Sequence, residues 1–171
     1  MESFNGIGFL EFKPMTELFT VDACLSGIGG FYNGRFYHRE IPAFVLNQSL
    51  YIVHYEMLSL YIAIRLWSSF FHGCEITVSS DNEDCVNVLN HGRSRDSFLL
   101  NCARAIWLIS AEKCFLIKAT YITSKDNKLS DCCSRWHLNP TYKNAFLRLT
   151  KDFTLVEEEV PDEWFLVPSW I

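Results

Sequence analysis

The sequence predicts a single α/β domain with a mixed sheet, in which helices separate the later strands. Near the start, two strand-like runs are joined by Asn33-Gly34, the strongest short signal for a β-hairpin. Further along, short β-rich runs alternate with helical patterns, which favours parallel pairing through crossover helices. A length of 171 residues with 49% hydrophobic residues permits one substantial core. Disordered, collagenous and low-complexity classes are therefore excluded.

The first part of the chain is expected to form a three-stranded meander followed by a buried helix. Residues 18–25 have the pattern of a buried strand, and residues 27–41 contain two more strands around the Asn33-Gly34 turn. Residues 50–71 carry apolar side chains almost all round at helical spacing, which indicates a long, largely buried helix. Gly73 is its expected C-terminal cap.

The rest of the chain alternates between strands and helices. A polar cluster at 81–84 supplies a helix cap after a strand, and Asn139-Pro140 breaks the chain before the last helix. The expected elements are a strand over 74–80, a helix to about Asn90, a basic loop over 91–96, a helix over 97–112, a strand over 114–122, and helices over 129–135 and 141–150.

Charge is distributed unevenly and suggests three regions. The chain has 15 basic and 20 acidic side chains, a net charge of −5, but residues 91–151 hold 11 basic and 4 acidic ones. This basic part could face an acidic ligand. We expect an N-terminal extension over 1–17, a folded domain over 18–150, and an acidic, aromatic C-terminal tail over 151–171 that lies near the basic part.

The cysteines and the lengths of the apolar runs indicate in which cellular compartment the protein is expected. Seven cysteines, an odd number with no C-x-x-C pair, favour reduced thiols in cytoplasm or nucleus. The first residues lack the pattern of a secretory signal. No apolar run reaches the ~20 residues that span a bilayer, so no membrane role is expected.

Four acids are the candidates for chemistry: Asp22, Glu56, Asp81 and Asp131. Taken singly, three of them have ordinary explanations as a helix cap or as exposed helix residues. Asp22 does not, because it lies within an apolar strand, where an unpaired charge costs several kcal/mol. In an α/β sheet, adjacent strands bring their ends together and could gather these carboxylates. Such a cluster needs hard divalent cations to relieve its repulsion.

Four segments carry a resemblance to a known enzyme family. Asp22 lies in VDACLSGIGGFY, Glu56 in HYEMLSLYIAI, Asp81 in VSSDNEDCVNVLN and Asp131 in SKDNKLSDCCSRW. In this order, over about residues 18–150, they resemble the Asp-Glu-Asp-Asp signature of ribonuclease H domains attached to retroelement reverse transcriptases. The segments NHGRSRDSFLLNCARAIW and DCCSRWHLNPTY are similar to the ribonuclease H of tyrosine-recombinase (DIRS-like) retrotransposons.

The resemblance implies a fold and a reaction. The fold is ribonuclease H-like, a five-stranded mixed sheet in the order 3-2-1-4-5 with helices on both faces. The reaction is metal-dependent hydrolysis of the RNA strand of an RNA–DNA hybrid, leaving a 3′-hydroxyl and a 5′-phosphate. By position, Asp22 would bridge two Mg²⁺ ions, for which Mn²⁺ is the expected substitute. Glu56 and Asp81 would ligate the ion on the leaving-group side, and Asp131 the ion that activates water. Glu56 is also placed to sense the ribose 2′-hydroxyl.

Seven further residues are expected to contact the hybrid, mostly through its backbone phosphates. The alternative for the basic ones among them is a solvated basic face, and the alternative for the two asparagines is the orientation of water beside the metal ligands. They are Asn82, Arg93, Arg95, Lys125, Asn127, Lys128 and Arg135.

The chain also departs from the family pattern. Many relatives have a His-Ile-Pro-Gly-like stretch ahead of the last acid, whereas this chain has 121–124 as Tyr-Ile-Thr-Ser, without the imidazole and the turn glycine. Ser130 stands where a small alanine usually precedes the last acid.

Other hypotheses stay open beside ribonuclease H activity. One is a non-catalytic nucleic-acid-binding or scaffold domain of the same fold, and another is a nuclease acting on DNA or structured RNA. The expected partners are an RNA–DNA hybrid and a reverse transcriptase or integrating enzyme of the same element. Because the sequence starts with its own Met, we expect either an excised domain or a freestanding gene derived from such an element.

Overall fold

The computed structural model describes residues 13–167, with side chains from Phe19 onward. The first strand begins at Lys13, so the folded part starts before the expected boundary at residue 18. The rest of the expected N-terminal extension, residues 1–12, lies outside the described residues, as does the end of the tail, 168–171.

Six strands and six α-helices make up this part of the chain. The strands are β1 (Lys13–Ala23), β2 (Gly27–Tyr32), β3 (Arg35–Glu40), β4 (Cys74–Ser80), β5 (Leu116–Tyr121) and β6 (Val156–Glu157). The helices are α1 (Ala43–Leu46), α2 (Ile52–Trp67), α3 (Glu83–His91), α4 (Ser97–Glu112), α5 (Lys128–Ser134) and α6 (Pro140–Leu149).

All six strands form one mixed sheet in the order β5-β4-β1-β2-β3-β6. The pairs β1–β2 and β2–β3 are antiparallel, while β1–β4, β4–β5 and β3–β6 are parallel. The predicted mixed α/β class is confirmed. The expected count of five strands is wrong, because Val156 and Glu157 of the tail pair with the outer edge of β3. Unpaired N–H and C=O groups at a strand edge favour such an addition.

The two faces of the sheet are covered by different helices. On one face, α2 lies over β1 and packs against α4, and its buried residues include Trp67 beside Phe19. On the other face, α5 packs on β1, β2 and β3, and α6 packs on α5 with its Phe146 beside Phe31 and Phe36. Helices therefore cover both faces, as expected.

Glycine in β2 lets α5 approach the sheet closely. A Cβ atom on Gly29 would lie 2.3 Å from the Cβ of Cys133, so only a residue without a side chain fits there. Gly29 pairs with Asp22 on the neighbouring strand. The close contact therefore brings α5 next to Asp22.

Turns follow the sequence signals, with two differences. Asn33 and Gly34 both have positive φ, 46° and 82°, as the predicted hairpin turn requires. The long helix ends at Trp67 instead of residue 71, because a 3₁₀ turn over Ser68–Phe70 leads into Gly73 at φ 72°. The short helix α1 follows Pro42 and carries too few residues to show a period.

The acidic tail was expected to lie near the basic part of the chain; it lies beside β3, where two of its acids pair with arginines from outside that part. Glu158 forms an ion pair with Arg35 at 2.6 Å, and Asp162 forms one with Arg39 at 2.5 Å. Both arginines belong to β3, in the acidic first half of the sequence. These acids of the tail therefore reach the cations nearest to β6.

Across residues 13–167, no helix has the length and apolar character needed to cross a membrane.

Asn90 at the end of α3 protects the free edge of β5. Its Nδ2 donates to the carbonyl oxygen of Ala119 and its Oδ1 accepts from the Ala119 N–H, both at 2.8 Å. Ala119 is 7% exposed, so water cannot readily replace these bonds. We predict that Asn90→Ala lowers the free energy of unfolding by about 2 kcal/mol, measured by urea denaturation.

A control on the same helix isolates this effect. Asn87 is exposed, and Asn87→Ala makes the same chemical change without the contacts to β5. Because Ala favours helix more than Asn does, this control should gain up to about 0.6 kcal/mol. Equal stability of the two variants would contradict a structural role for the Asn90 amide.

Candidate metal centre

Three of the predicted acids meet at one edge of the sheet. Asp22 lies near the C-terminal end of β1, and Asp81 follows the last residue of the parallel neighbour β4. Glu56 lies on the second turn of α2, which packs over β1. One carboxylate oxygen from each acid lies within 4.8 Å of the others. Parallel strands that end side by side thus produce the cluster that the sequence predicted.

The three acids of the cluster differ in their exposure to solvent. Asp22 and Glu56 are each 5% exposed, whereas Asp81 is half-buried. The centre therefore has a dry inner side, formed by β1 and α2, and an outer side that Asp81 shares with solvent.

Each of the four predicted acids accepts a hydrogen bond on one carboxylate oxygen. Ser134 Oγ donates to Asp22 Oδ2, and the Ala23 N–H donates to Glu56 Oε1 at 3.2 Å. Ser124 Oγ donates to Asp81 Oδ2 at 2.7 Å, and Arg135 Nε donates to Asp131 Oδ1 at 2.6 Å. One oxygen of each acid is thereby oriented.

Asp131 lies beside the other three acids without joining their close group. Within the described residues, that group consists of Asp22, Glu56 and Asp81. Asp131, on α5, is near enough to raise the pKa of Asp22 through charge repulsion. Its own carboxylate is bound by Arg135 one turn along the helix.

Burial and like charges raise the pKa values of the inner acids. Burial is the main reason that the pKa of Asp22 rises from 3.8 to about 7; Asp81 and Asp131 raise it further, while the Ser134 hydroxyl lowers it. Burial, followed by the charges of Asp22 and Asp81, holds the pKa of Glu56 well above its ordinary value. Ionising Asp22 and Glu56 together is therefore unfavourable unless a cation joins them.

The residues present fit a hard divalent cation. Glu56 Oε2 is buried and has no hydrogen-bond partner in the described structure. A buried carboxylate oxygen left in this way is unfavourable unless a cation or a proton satisfies it. Every side-chain donor of the cluster is a carboxylate oxygen, the ligand type that Mg²⁺ and Mn²⁺ prefer.

Three of the residues expected to contact nucleic acid have internal partners. Asn82 caps α3, since its Oδ1 accepts from the N–H groups of Asp84 and Cys85. Asn127 is 1% exposed and donates to the Val21 carbonyl at 2.8 Å, so its side chain has almost no surface to offer a ligand. Arg135 is the partner of Asp131. For Asn127, therefore, the structure indicates an internal role.

The other four expected contacts are exposed cations: Arg93, Arg95, Lys125 and Lys128. Two of them lie on the loop that precedes α4. His54 ties this loop to α2: its Nδ1 accepts from the Tyr51 N–H at 2.8 Å, so its Nε2 donates to Asp96 Oδ2, at 2.7 Å. The helix that carries Glu56 thus also holds the loop that carries Arg93 and Arg95.

Sequence reasoning missed the two serines that bind carboxylates. Ser134 lies three residues after Asp131, about one helical turn, and this spacing was a signal that both side chains share one side of α5. Ser124 lies in a polar loop with no periodicity, so the sequence carried no signal for its contact with Asp81.

The chain was compared with protein-family models and with curated proteins, and neither comparison gave a match.

Proposed function

We propose that the protein is a metal-dependent endoribonuclease that hydrolyses the RNA strand of RNA–DNA hybrids. The observation that carries this proposal is the convergence of Asp22, Glu56 and Asp81 at the ends of two parallel strands, with a buried carboxylate oxygen left for a cation. The element order is compatible with a ribonuclease H-like fold, with β6 as an added edge strand.

The four acids would hold two Mg²⁺ ions, with Mn²⁺ as a substitute. Asp22, Glu56 and Asp81 would supply the inner ligands and Asp131 a further one. When bound, the cations stabilise the negative charge of the phosphoryl transition state and lower the pKa of a coordinated water.

In this scheme, the chain's own residues orient the metal ligands and recognise the substrate. Ser134 and Ser124 hold the carboxylates of Asp22 and Asp81, which reduces the reorganisation needed when ligands bind. Glu56 is the group that we assign to the ribose 2′-hydroxyl, the feature that distinguishes RNA from DNA. The exposed cations on the loop before α4, on the loop before α5 and at the start of α5 would bind backbone phosphates.

A substrate panel tests this function. Purified protein with Mg²⁺ should cleave a labelled RNA–DNA hybrid and leave duplex DNA and duplex RNA largely intact. EDTA should abolish the cleavage and added Mn²⁺ should restore it, because the carboxylates alone cannot activate water. Preferred cleavage of duplex DNA would favour a different nuclease. A chain that binds hybrid but neither cleaves it nor binds Mn²⁺ would favour the scaffold alternative.

A further inference from the structure

Residues 123–127, within the loop that joins β5 to α5, form a turn that is closed by its own hydrogen bonds. Thr123 Oγ1 donates to Asp126 Oδ2 at 2.7 Å. The N–H groups of Asp126 and Asn127 both donate to the Thr123 carbonyl, at 2.9 and 3.2 Å. The loop is therefore a defined turn.

Asn127 attaches this turn to the strand that carries Asp22. Its buried Nδ2 donates to the carbonyl oxygen of Val21, the residue before Asp22. Its own carbonyl accepts from the Asp131 N–H at 3.0 Å, at the start of α5. One residue thus links β1, the turn and the helix of the fourth acid.

The fixed turn places Ser124 against Asp81. Ser124 is exposed, and its Oγ donates to Asp81 Oδ2 at 2.7 Å. Asp81 lies between the end of β4 and the start of α3, outside regular structure and half-buried. Since neither a strand nor a helix confines this side chain, the bond from Ser124 limits its rotation.

We propose that Ser124 is the positioning residue of Asp81 and that, through it, the 123–127 turn sets the affinity of the centre for divalent cations. The inference rests on the proposed function only in that the centre binds a cation. Ser134 has the corresponding contact with Asp22, but it is fully buried, so its replacement would also disturb packing. The exposed Ser124 permits a test without that disturbance.

The test is calorimetric titration of the full chain with Mn²⁺. Removing a group that orients a metal ligand typically weakens metal binding 10- to 100-fold, so Ser124→Ala should raise the Kd for Mn²⁺ by at least about 10-fold. Ser124→Thr keeps the hydroxyl and should restore the affinity to within about threefold of the wild type. Ser110→Ala, which removes a hydroxyl bonded to the Trp107 carbonyl on α4, should leave Mn²⁺ binding unchanged.

Hybrid cleavage supplies a second measurement. In Ser124→Ala, the Mn²⁺ concentration for half-maximal cleavage should rise in parallel with the Kd, while the KM for the hybrid stays near that of the wild type. A merely structural residue would change thermal stability and KM instead.

The possible outcomes separate the two proposals. If the wild type binds Mn²⁺ and the Kd of Ser124→Ala for Mn²⁺ is within twofold of the wild-type value, the role of Ser124 is overturned and the proposed function stands. If the wild type binds no Mn²⁺, both proposals are overturned.

Discussion

Replacing Asp22 by Asn is expected to reduce cleavage of an RNA–DNA hybrid by at least about 10³-fold. The charge of Asp22 interacts with those of the other three acids, because Asp81 and Asp131 raise its pKa and Asp22 raises the pKa of Glu56. The amide keeps the size of the side chain and removes the negative charge that would hold the cations. Single-turnover cleavage at saturating Mg²⁺ measures the loss of the chemical step.

A matched variant shows whether the charge must be at this position. Asp152 is exposed in the tail, and Asp152→Asn removes the same charge far from the acids in sequence. Its cleavage rate should equal that of the wild type. If Asp22→Asn retained more than a tenth of the wild-type rate, Asp22 would not be a ligand of essential cations.

Local sequence signals predicted the structure correctly where a residue type is compatible with only one local conformation or environment. Asn33-Gly34 predicted the hairpin because few other pairs tolerate two positive φ angles. A carboxylate inside the apolar VDACL run predicted a polar site, since an unpaired charge there is unfavourable. Three of the four predicted acids, Asp22, Glu56 and Asp81, do meet, because the parallel strands β1 and β4 end side by side and α2 packs over β1.

Long-range contacts could not be predicted in the same way. Val156 and Glu157 form a strand only because β3 offers a free edge, and two residues show no periodicity. The tail pairs with Arg35 and Arg39 because β6 runs beside β3; net charge by sequence segment carries no information on that neighbourhood. The burial of Asn127 likewise depends on a contact with Val21, 106 positions earlier.

The proposed centre also predicts how stability depends on pH. Without divalent cations, the free energy of unfolding should fall as the pH rises from about 4 to about 7. In this range the folded chain holds a proton on Asp22, whose pKa is raised from 3.8 to about 7, while the unfolded chain has released it. Because the folded state binds more protons, each rise in pH favours unfolding. The difference between the folded and unfolded pKa values of Asp22 corresponds to a loss of up to about 4 kcal/mol.

Urea denaturation at several pH values, with EDTA and with Mg²⁺, measures this dependence. Asp22→Asn removes the ionisable group, so in EDTA its stability should vary less with pH and exceed that of the wild type above about pH 7. The contributions of titrating groups shared by both chains largely cancel in the difference. Glu56 is the exception among the shared groups, because the charge of Asp22 raises its pKa, so the difference between the two chains reports Asp22 together with this coupling. Mg²⁺ should restore the free energy of unfolding of the wild type at high pH, because the ionised carboxylates are the form that binds it. It should not stabilise Asp22→Asn to the same degree. Parallel pH curves for the two chains in EDTA would mean that Asp22 titrates normally, and the case for a cation at this cluster would lose its electrostatic basis.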